Sequence, residues 1–124
     1  LKDARSEKRK SRLEEEIKRI LGEAVSGLRK SAPPDERLSL LTITNVELNA
    51  DKSVAKVYFD CYMAGTTPSA ALDIIEENKG WLRKAVSLGL PRIKTPALEF
   101  RHDSLFDASM QMEEVFRKIK SERG

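Results

Sequence analysis

Two runs of helix-spaced apolar residues stand on either side of Asn78-Lys79-Gly80, and this interruption narrows the fold more than any other stretch. Before it, Ala71, Leu72 and Ile75 form one buried face; after it, Trp81, Leu82, Ala85, Val86 and Leu88 form another. Glycine inside a helix costs about 1 kcal/mol relative to alanine, and asparagine prefers caps to helix interiors. The spacing therefore predicts a kinked helix pair instead of one straight helix. Thr67 with Pro68 supplies a start signal for the first helix, and Gly89-Leu90-Pro91 stops the second. Thr95 to His102 then reads as a strand, with Leu98 and Phe100 inward and Ala97, Glu99 and Arg101 outward.

The chain upstream supplies what that pair must pack against. Leu13, Ile17, Ile20, Leu21, Ala24 and Leu28 recur at three- and four-residue steps, predicting a helix from about Ser6 to Leu28 that the double proline Pro33-Pro34 ends. Its start, KDARSEKRKSR, has no apolar stripe before Leu13 and reads either as a helix extension or as a loose basic arm. Two strands follow, about Leu40–Leu48 and Ser53–Met63. The apolar phase of the first shifts between Ile43 and Val46, consistent with a bulge or two-sided burial. The second places Ala55, Val57, Phe59 and Cys61 on one face and Lys56, Tyr58, Asp60 and Tyr62 on the other. The short linker from Asn49 to Lys52 makes the pair an antiparallel hairpin. A last helix opens at Ser104, with Asp107 at capping-box spacing and a stripe from Leu105 to Ile119. The expectation is one α+β domain over residues 1–124 with a three-stranded sheet, residues 1–10 and 120–124 being flexible.

Charge is divided unevenly along the chain. Lys79, Arg83, Lys84, Arg92, Lys94 and Arg101 face the single acid Glu99 between positions 79 and 102, whereas Pro33 to Asn78 holds eight acids and three basic residues. Lys79 falls in the first turn of a helix, where acids are normally favoured, and Arg83 follows one turn later on the same face. A bound phosphate would relieve that crowding, although solvated cations alone also account for it. Little else suggests chemistry. His102-Asp103-Ser104 are consecutive at a strand-to-helix corner and cannot converge as a triad must; His102 is expected exposed at the strand end. With one His and one Cys there is no zinc set, and no phosphate-binding glycine loop occurs. Trp81 reads as core, and Tyr58 and Tyr62 as either sheet surface or base-stacking groups. No apolar run approaches the roughly 20 residues that span a bilayer. Three functions compete: nucleic-acid binding through the basic stretch, a protein adapter using the acidic hairpin or an apolar strip at Phe106, Met110 and Met112, and an enzyme, for which no residue set assembles.

The order helix–strand–strand–helix–helix–strand–helix, broken inside the middle helix, resembles the type II KH-like arrangement, but no two glycines are three apart, so the Gly-x-x-Gly loop that clamps RNA is missing. Ribosome-binding factor A is the family with this order and an Ala-x-Gly kink. The chain is similar to it in RLEEEIKRIL, TITNVELNADKSVAKVY, NKGWLRK, LPRIKTPALEF and HDSL, with Asn78 where the family usually has Ala. The resemblance implies a non-enzymatic assembly factor without cofactor or metal. It implies binding to the small (30S) ribosomal subunit and its 16S-type rRNA during late maturation and 5′-end processing, and a role in growth in the cold. Carried over by position, the implied RNA contacts are Arg9 and Arg12, Asn78, Lys79, Gly80 and Arg83, and Arg92 and Lys94. Charge adds Lys84 and Arg101. Gly65 and Pro96 read as structural. A monomer in the cytoplasm is expected, or in a chloroplast stroma or mitochondrial matrix if a leader has been removed.

Overall fold

The computed structural model describes residues 4–28, 33, 35–61 and 67–103. In order they form α1 (Ala4–Ser26), a 3-10 turn (Glu36–Leu40), β1 (Leu41–Leu48), β2 (Val54–Cys61), α2 (Pro68–Glu77), α3 (Lys79–Gly89) and β3 (Ala97–His102). β1 and β2 pair antiparallel and β3 joins β2 in parallel, so the sheet order follows the chain. A parallel neighbour needs a crossover of a dozen residues or more. The broken pair α2 and α3 is that crossover. The result is the expected α+β, type II KH-like arrangement with a three-stranded sheet. The anticipated C-terminal helix, with Phe106, Met110 and Met112, lies outside the described residues, as do Tyr62, Gly65 and the Ser104/Asp107 capping box.

Alternation along the strands drives the packing. Val46, Leu48, Ala55, Val57, Phe59, Leu98 and Phe100 are buried on the sheet. Opposite them, Ile17, Ile20, Leu21, Ala24 and Val25 come from α1, and Leu82, Ala85 and Val86 from α3. Among the described residues Phe59 is the bulkiest fully buried side chain, and truncating such a residue to alanine costs about 3–5 kcal/mol. α1 lies along β1 and against α3, and Glu14 accepts a hydrogen bond from the Leu48 amide at 2.7 Å, which fixes the first half of α1 beside the hairpin turn. The phase shift foreseen in β1 is a bulge: the register slips between Ile43 and Asn45.

Several boundaries differ from expectation for local reasons. α1 starts at Ala4, so the basic start takes the helix-extension reading from there on. It ends at Ser26 and not at the prolines. Gly27 adopts φ 73°, a left-handed conformation that closes the helix, and the Leu28 amide donates back to the Glu23 carbonyl at 3.1 Å. Leu28 is consequently 80% exposed, and Val25 takes the place in the stripe that Leu28 was expected to fill. The 3-10 turn was not foreseen; Asp35 caps it by accepting from the Arg37 amide. In α2 the buried face is Ala71, Ile74 and Ile75, with Leu72 only half-buried. Asp60, expected to face outward, is 5% exposed. Its Oδ1 accepts from the Cys61 amide and lies 3.3 Å from His102 Nε2. His102 is thus half-buried against Asp60 and edge-on to Phe59, not an exposed strand-end residue.

Candidate nucleic-acid interface

The helix break is made by Asn78, at φ −111° and ψ 8°, which is outside helical geometry. The physical cause is a side chain turned inward. Asn78 Nδ2 donates to the Ile74 carbonyl at 2.8 Å and to Asp35 Oδ2 at 3.3 Å, while its own carbonyl accepts from the Leu82 amide at 3.0 Å. Asparagine therefore ends α2 and makes no side-chain cap for α3. Buried at 9% exposure, it turns its amide inward and shapes the surface from below.

Just past the break, α3 and the approach to β3 enclose a shallow cleft of about 430 Å³. Gly80, Arg83, Lys84 and Ser87 line it from α3, and Lys94 and Thr95 from the facing segment. These positions belong together because 80, 83, 84 and 87 recur at helical spacing while Leu82, Ala85 and Val86 take the buried side. Three of the lining side chains are cationic and none is acidic. Among the described residues no carboxylate pairs with Arg83, Lys84 or Lys94. A Cβ at Gly80 would meet nothing within 4 Å, so no neighbour among the described residues requires glycine there.

Arg83 and Lys94 also line a second, deeper concavity of about 550 Å³, which reaches Leu13 of α1, the hairpin turn at Asp51, Lys52 and Ser53, and Ile93 to Ala97. The turn is fixed internally. Lys52 has φ 61°, Asp51 Oδ1 accepts from the Ser53 hydroxyl at 2.6 Å, and the Ser53 carbonyl accepts from the Ala97 amide at 2.9 Å. The Ser53 hydroxyl holds the Asp51 carboxyl below the usual carboxylate range. Arg83 Nη2 donates to the Thr95 carbonyl at 3.4 Å and forms the wall between the two spaces. Arg9 and Arg12 are exposed on α1, Arg9 one turn before Leu13 on the same face.

Of the residues singled out from the sequence, the structure gathers Gly80, Arg83, Lys84 and Lys94 and sets others apart. Lys79 is half-buried with its Nζ 3.7 Å from Glu76, and it lines neither cleft, although Arg83 is only one turn away. Arg92 is exposed in the turn after α3. Arg101 lies on the outer face of β3, where its guanidinium donates to Glu99 and holds that carboxyl low. Beside it Tyr58 donates to Glu47 at 3.3 Å, and burial raises its phenol. Thr95, Ser87, Leu13 and the hairpin turn were not anticipated as lining. Their one legible signal is position: Thr95 adjoins Lys94, and Asp51 to Ser53 sit at the sheet end where β3 must begin. No cluster of metal-ligating residues occurs among the described residues, and no helix among them is long and apolar enough to cross a membrane. His102 and Asp103 turn to Asp60 and Thr44 respectively and do not converge on a common point.

Comparison with known proteins bears on the same surface. The family model described as Ribosome-binding factor A matches residues 9–116. A relative of that name from Kosmotoga olearia is 31% identical, covering 92% of this chain and 90% of its own. The crystal structure of ribosome-binding factor A from Thermus thermophilus superposes with a TM-score of 0.61 at 31% identity, over 75% of this chain and 94% of that one. A homology model of the Thermus thermophilus protein, fitted into a cryo-EM map of a 30S–RbfA complex, gives 0.57 at 31% identity over 73% and 90%. The hairpin, the break at Asn78 and the strand that follows Lys94 all fall inside the matched residues, and on that agreement of sequence and fold the chain belongs to the ribosome-binding factor A family.

Proposed function

We propose that this chain binds the small (30S) ribosomal subunit and its 16S-type rRNA, acting without catalysis in late maturation and 5′-end processing. The observation that carries the reading is the cleft whose three cations, Arg83, Lys84 and Lys94, face one another with no carboxylate among them. Cations left unneutralised on a rigid helix-and-strand frame favour a partner that brings the negative charge, and folded RNA does so at every phosphate. The 30S–RbfA complex of the Thermus thermophilus relative supports the same partner. Gly80 adds a backbone stretch without a side chain at the cleft, where a phosphate can approach closely. Arg9, Arg12 and Arg92 add further exposed charges, and Lys79 and Arg101, each held by a neighbouring acid, contribute less.

The mechanism is electrostatic docking that holds one rRNA conformer until the subunit matures. It uses residues 1–124 as one monomeric unit, with neither cofactor nor metal. It operates in the cytoplasm, or in a stroma or matrix if a leader has been removed. Co-sedimentation with isolated small subunits across a salt series tests it. About five neutralised phosphates give a log–log slope of roughly −3.5 to −4.5. Replacing Lys79, Arg83, Arg92 and Lys94 by Glu abolishes binding while circular dichroism remains that of the parent. Undiminished binding by that folded variant overturns the proposal.

A further inference from the structure

The deeper concavity beside the cationic cleft has a different chemistry. Its about 550 Å³ lies within the range of small-ligand sites, about 300–1,000 Å³. Four separate segments build it: α1, the hairpin turn, α3 and the approach to β3. Leu13, Ile93 and Ala97 give it apolar walls. Arg83 and Lys94 stand at the side shared with the first cleft, and Asp51 stands at the hairpin turn. A phosphate suits the first cleft, but at the hairpin end of the second Asp51 stands beside Lys52, so that end carries an acceptor and no net positive charge. What fits the whole is a molecule anionic at one side, flat and apolar in the middle, and hydrogen-bond-donating at the far side.

We infer that this concavity is a nucleobase pocket, taking an unpaired, amino-bearing base of a single-stranded RNA segment whose phosphates lie on Arg83 and Lys94. The inference deepens the RNA-binding reading and rests on it. Arg83, anchored to the Thr95 carbonyl, offers a planar guanidinium against which a base stacks. Asp51, held in place by the Ser53 hydroxyl and amide, accepts from an exocyclic amino group, as carboxylates do from cytosine N4. Uracil offers no such donor. A base inside a duplex cannot leave its stack without losing its pair, so the substrate is a single strand.

The test uses the full chain and four labelled probes of equal length: oligocytidylate, oligouridylate, an abasic strand with the same sugar–phosphate backbone, and a duplex. Fluorescence anisotropy at one salt concentration gives each Kd. Oligocytidylate binds about tenfold more tightly than the abasic strand, the size expected for one stacked base. It also binds more tightly than oligouridylate, a preference that Asp51→Asn removes. Ala97→Leu fills the pocket from an exposed strand position. It removes the advantage over the abasic strand while leaving affinity for the duplex and the abasic strand unchanged. Equal affinity of the parent chain for cytidylate and abasic strands overturns the pocket, as does an Ala97→Leu variant that keeps the full preference. Salt-dependent subunit binding that survives either result leaves the wider RNA reading standing; its loss would be a failure of that reading instead. A concentration-dependent dimer that Ala97→Leu dissolves would assign the concavity to a second copy of the chain and also overturn the proposal.

Discussion

Two charged groups near Asn78 differ: one is matched by the chain's own acids, and the other is not. Asp35, Arg37 and Glu77 close into a cluster: Arg37 Nη2 lies 2.6 Å from Asp35 Oδ2 and 2.7 Å from Glu77 Oε2, and Asp35 also accepts from Asn78. A few residues later, Arg83, Lys84 and Lys94 share a cleft without an acid. The two regions carry similar side chains, yet one spends its cations on the chain's own carboxylates. A count of basic residues therefore overstates an interface, and partner-seeking charge is the part the fold leaves unmatched. Exposed pairs such as Arg19 with Glu16 contribute little to stability, about 0–1 kcal/mol, but they do remove a cation from the outward field.

The largest effect separates the two kinds of cation at equal change in net charge. One triple variant, Arg83→Gln, Lys84→Gln and Lys94→Gln, empties the cleft of charge. Another, Arg19→Gln, Arg37→Gln and Arg101→Gln, removes three paired cations. Each phosphate contact contributes roughly five- to eightfold at about 0.1 M salt through counterion release, so the first variant weakens subunit binding by about a hundredfold or more and lowers the salt slope by about 2–3. The second changes binding by less than about threefold at the same salt. Parallel losses in the two variants would mean that net charge, not the cleft, governs association.

The next two predictions ask which residue owns the break. Asn78→Ala strips the Ile74 carbonyl and Asp35 of a donor in a buried setting, and thermal or urea denaturation should show a loss of about 1–3 kcal/mol. Gly80→Ala should do the opposite. Its Cβ enters open space and alanine is the better helix former, so stability rises by about 0.5–1 kcal/mol. On the proposed docking, subunit binding by Gly80→Ala nonetheless falls, because the added methyl would stand at the backbone proposed to approach phosphate. A destabilised Gly80→Ala would return the break to glycine and away from the Asn78 side chain.

How much of this was legible in the sequence depends on whether the cause was local. The hairpin, the bulge near Thr44, the start at Thr67-Pro68 and the stop after Gly89 follow from short-range rules, and each is where those rules put it. The interruption at Asn78-Lys79-Gly80 was legible too, but not its mechanism. The partner that turns Asn78 inward is Asp35, distant in sequence, and it sits at a 3-10 turn that no periodicity announces. Helical spacing grouped Lys79 with Arg83 and did not show that Lys79 would lie 3.7 Å from Glu76 instead of lining the cleft. The deeper concavity needed α1, the hairpin turn and the β3 approach to converge, and only the register of Ala97 beside Val54 brings the last two together.

The smallest predicted effect tests the matched side directly. Hydrogen bonds from the Arg37 guanidinium hold the Asp35 carboxyl well below its ordinary value of 3.8. A carboxyl whose folded pKa is depressed adds stability that is fully present above the unfolded value and is lost as pH falls toward the folded one. The contribution is therefore intact at neutral pH and drains away below about pH 4. The pair is exposed enough for solvent to screen it, so the effect on the melting temperature is small. Melting followed by circular dichroism from pH 7 down to pH 2 reads it. Asp35→Asn lowers the melting temperature slightly at neutral pH and flattens the acid limb, because asparagine has no proton to gain. Charge removal in the cleft leaves the acid limb as it was, since Arg83, Lys84 and Lys94 pair with no carboxylate among the described residues. If Asp35→Asn and the parent chain lose stability in step as the pH drops, the cluster at the 3-10 turn is not the matched group, and the contrast between the two groups fails on that side.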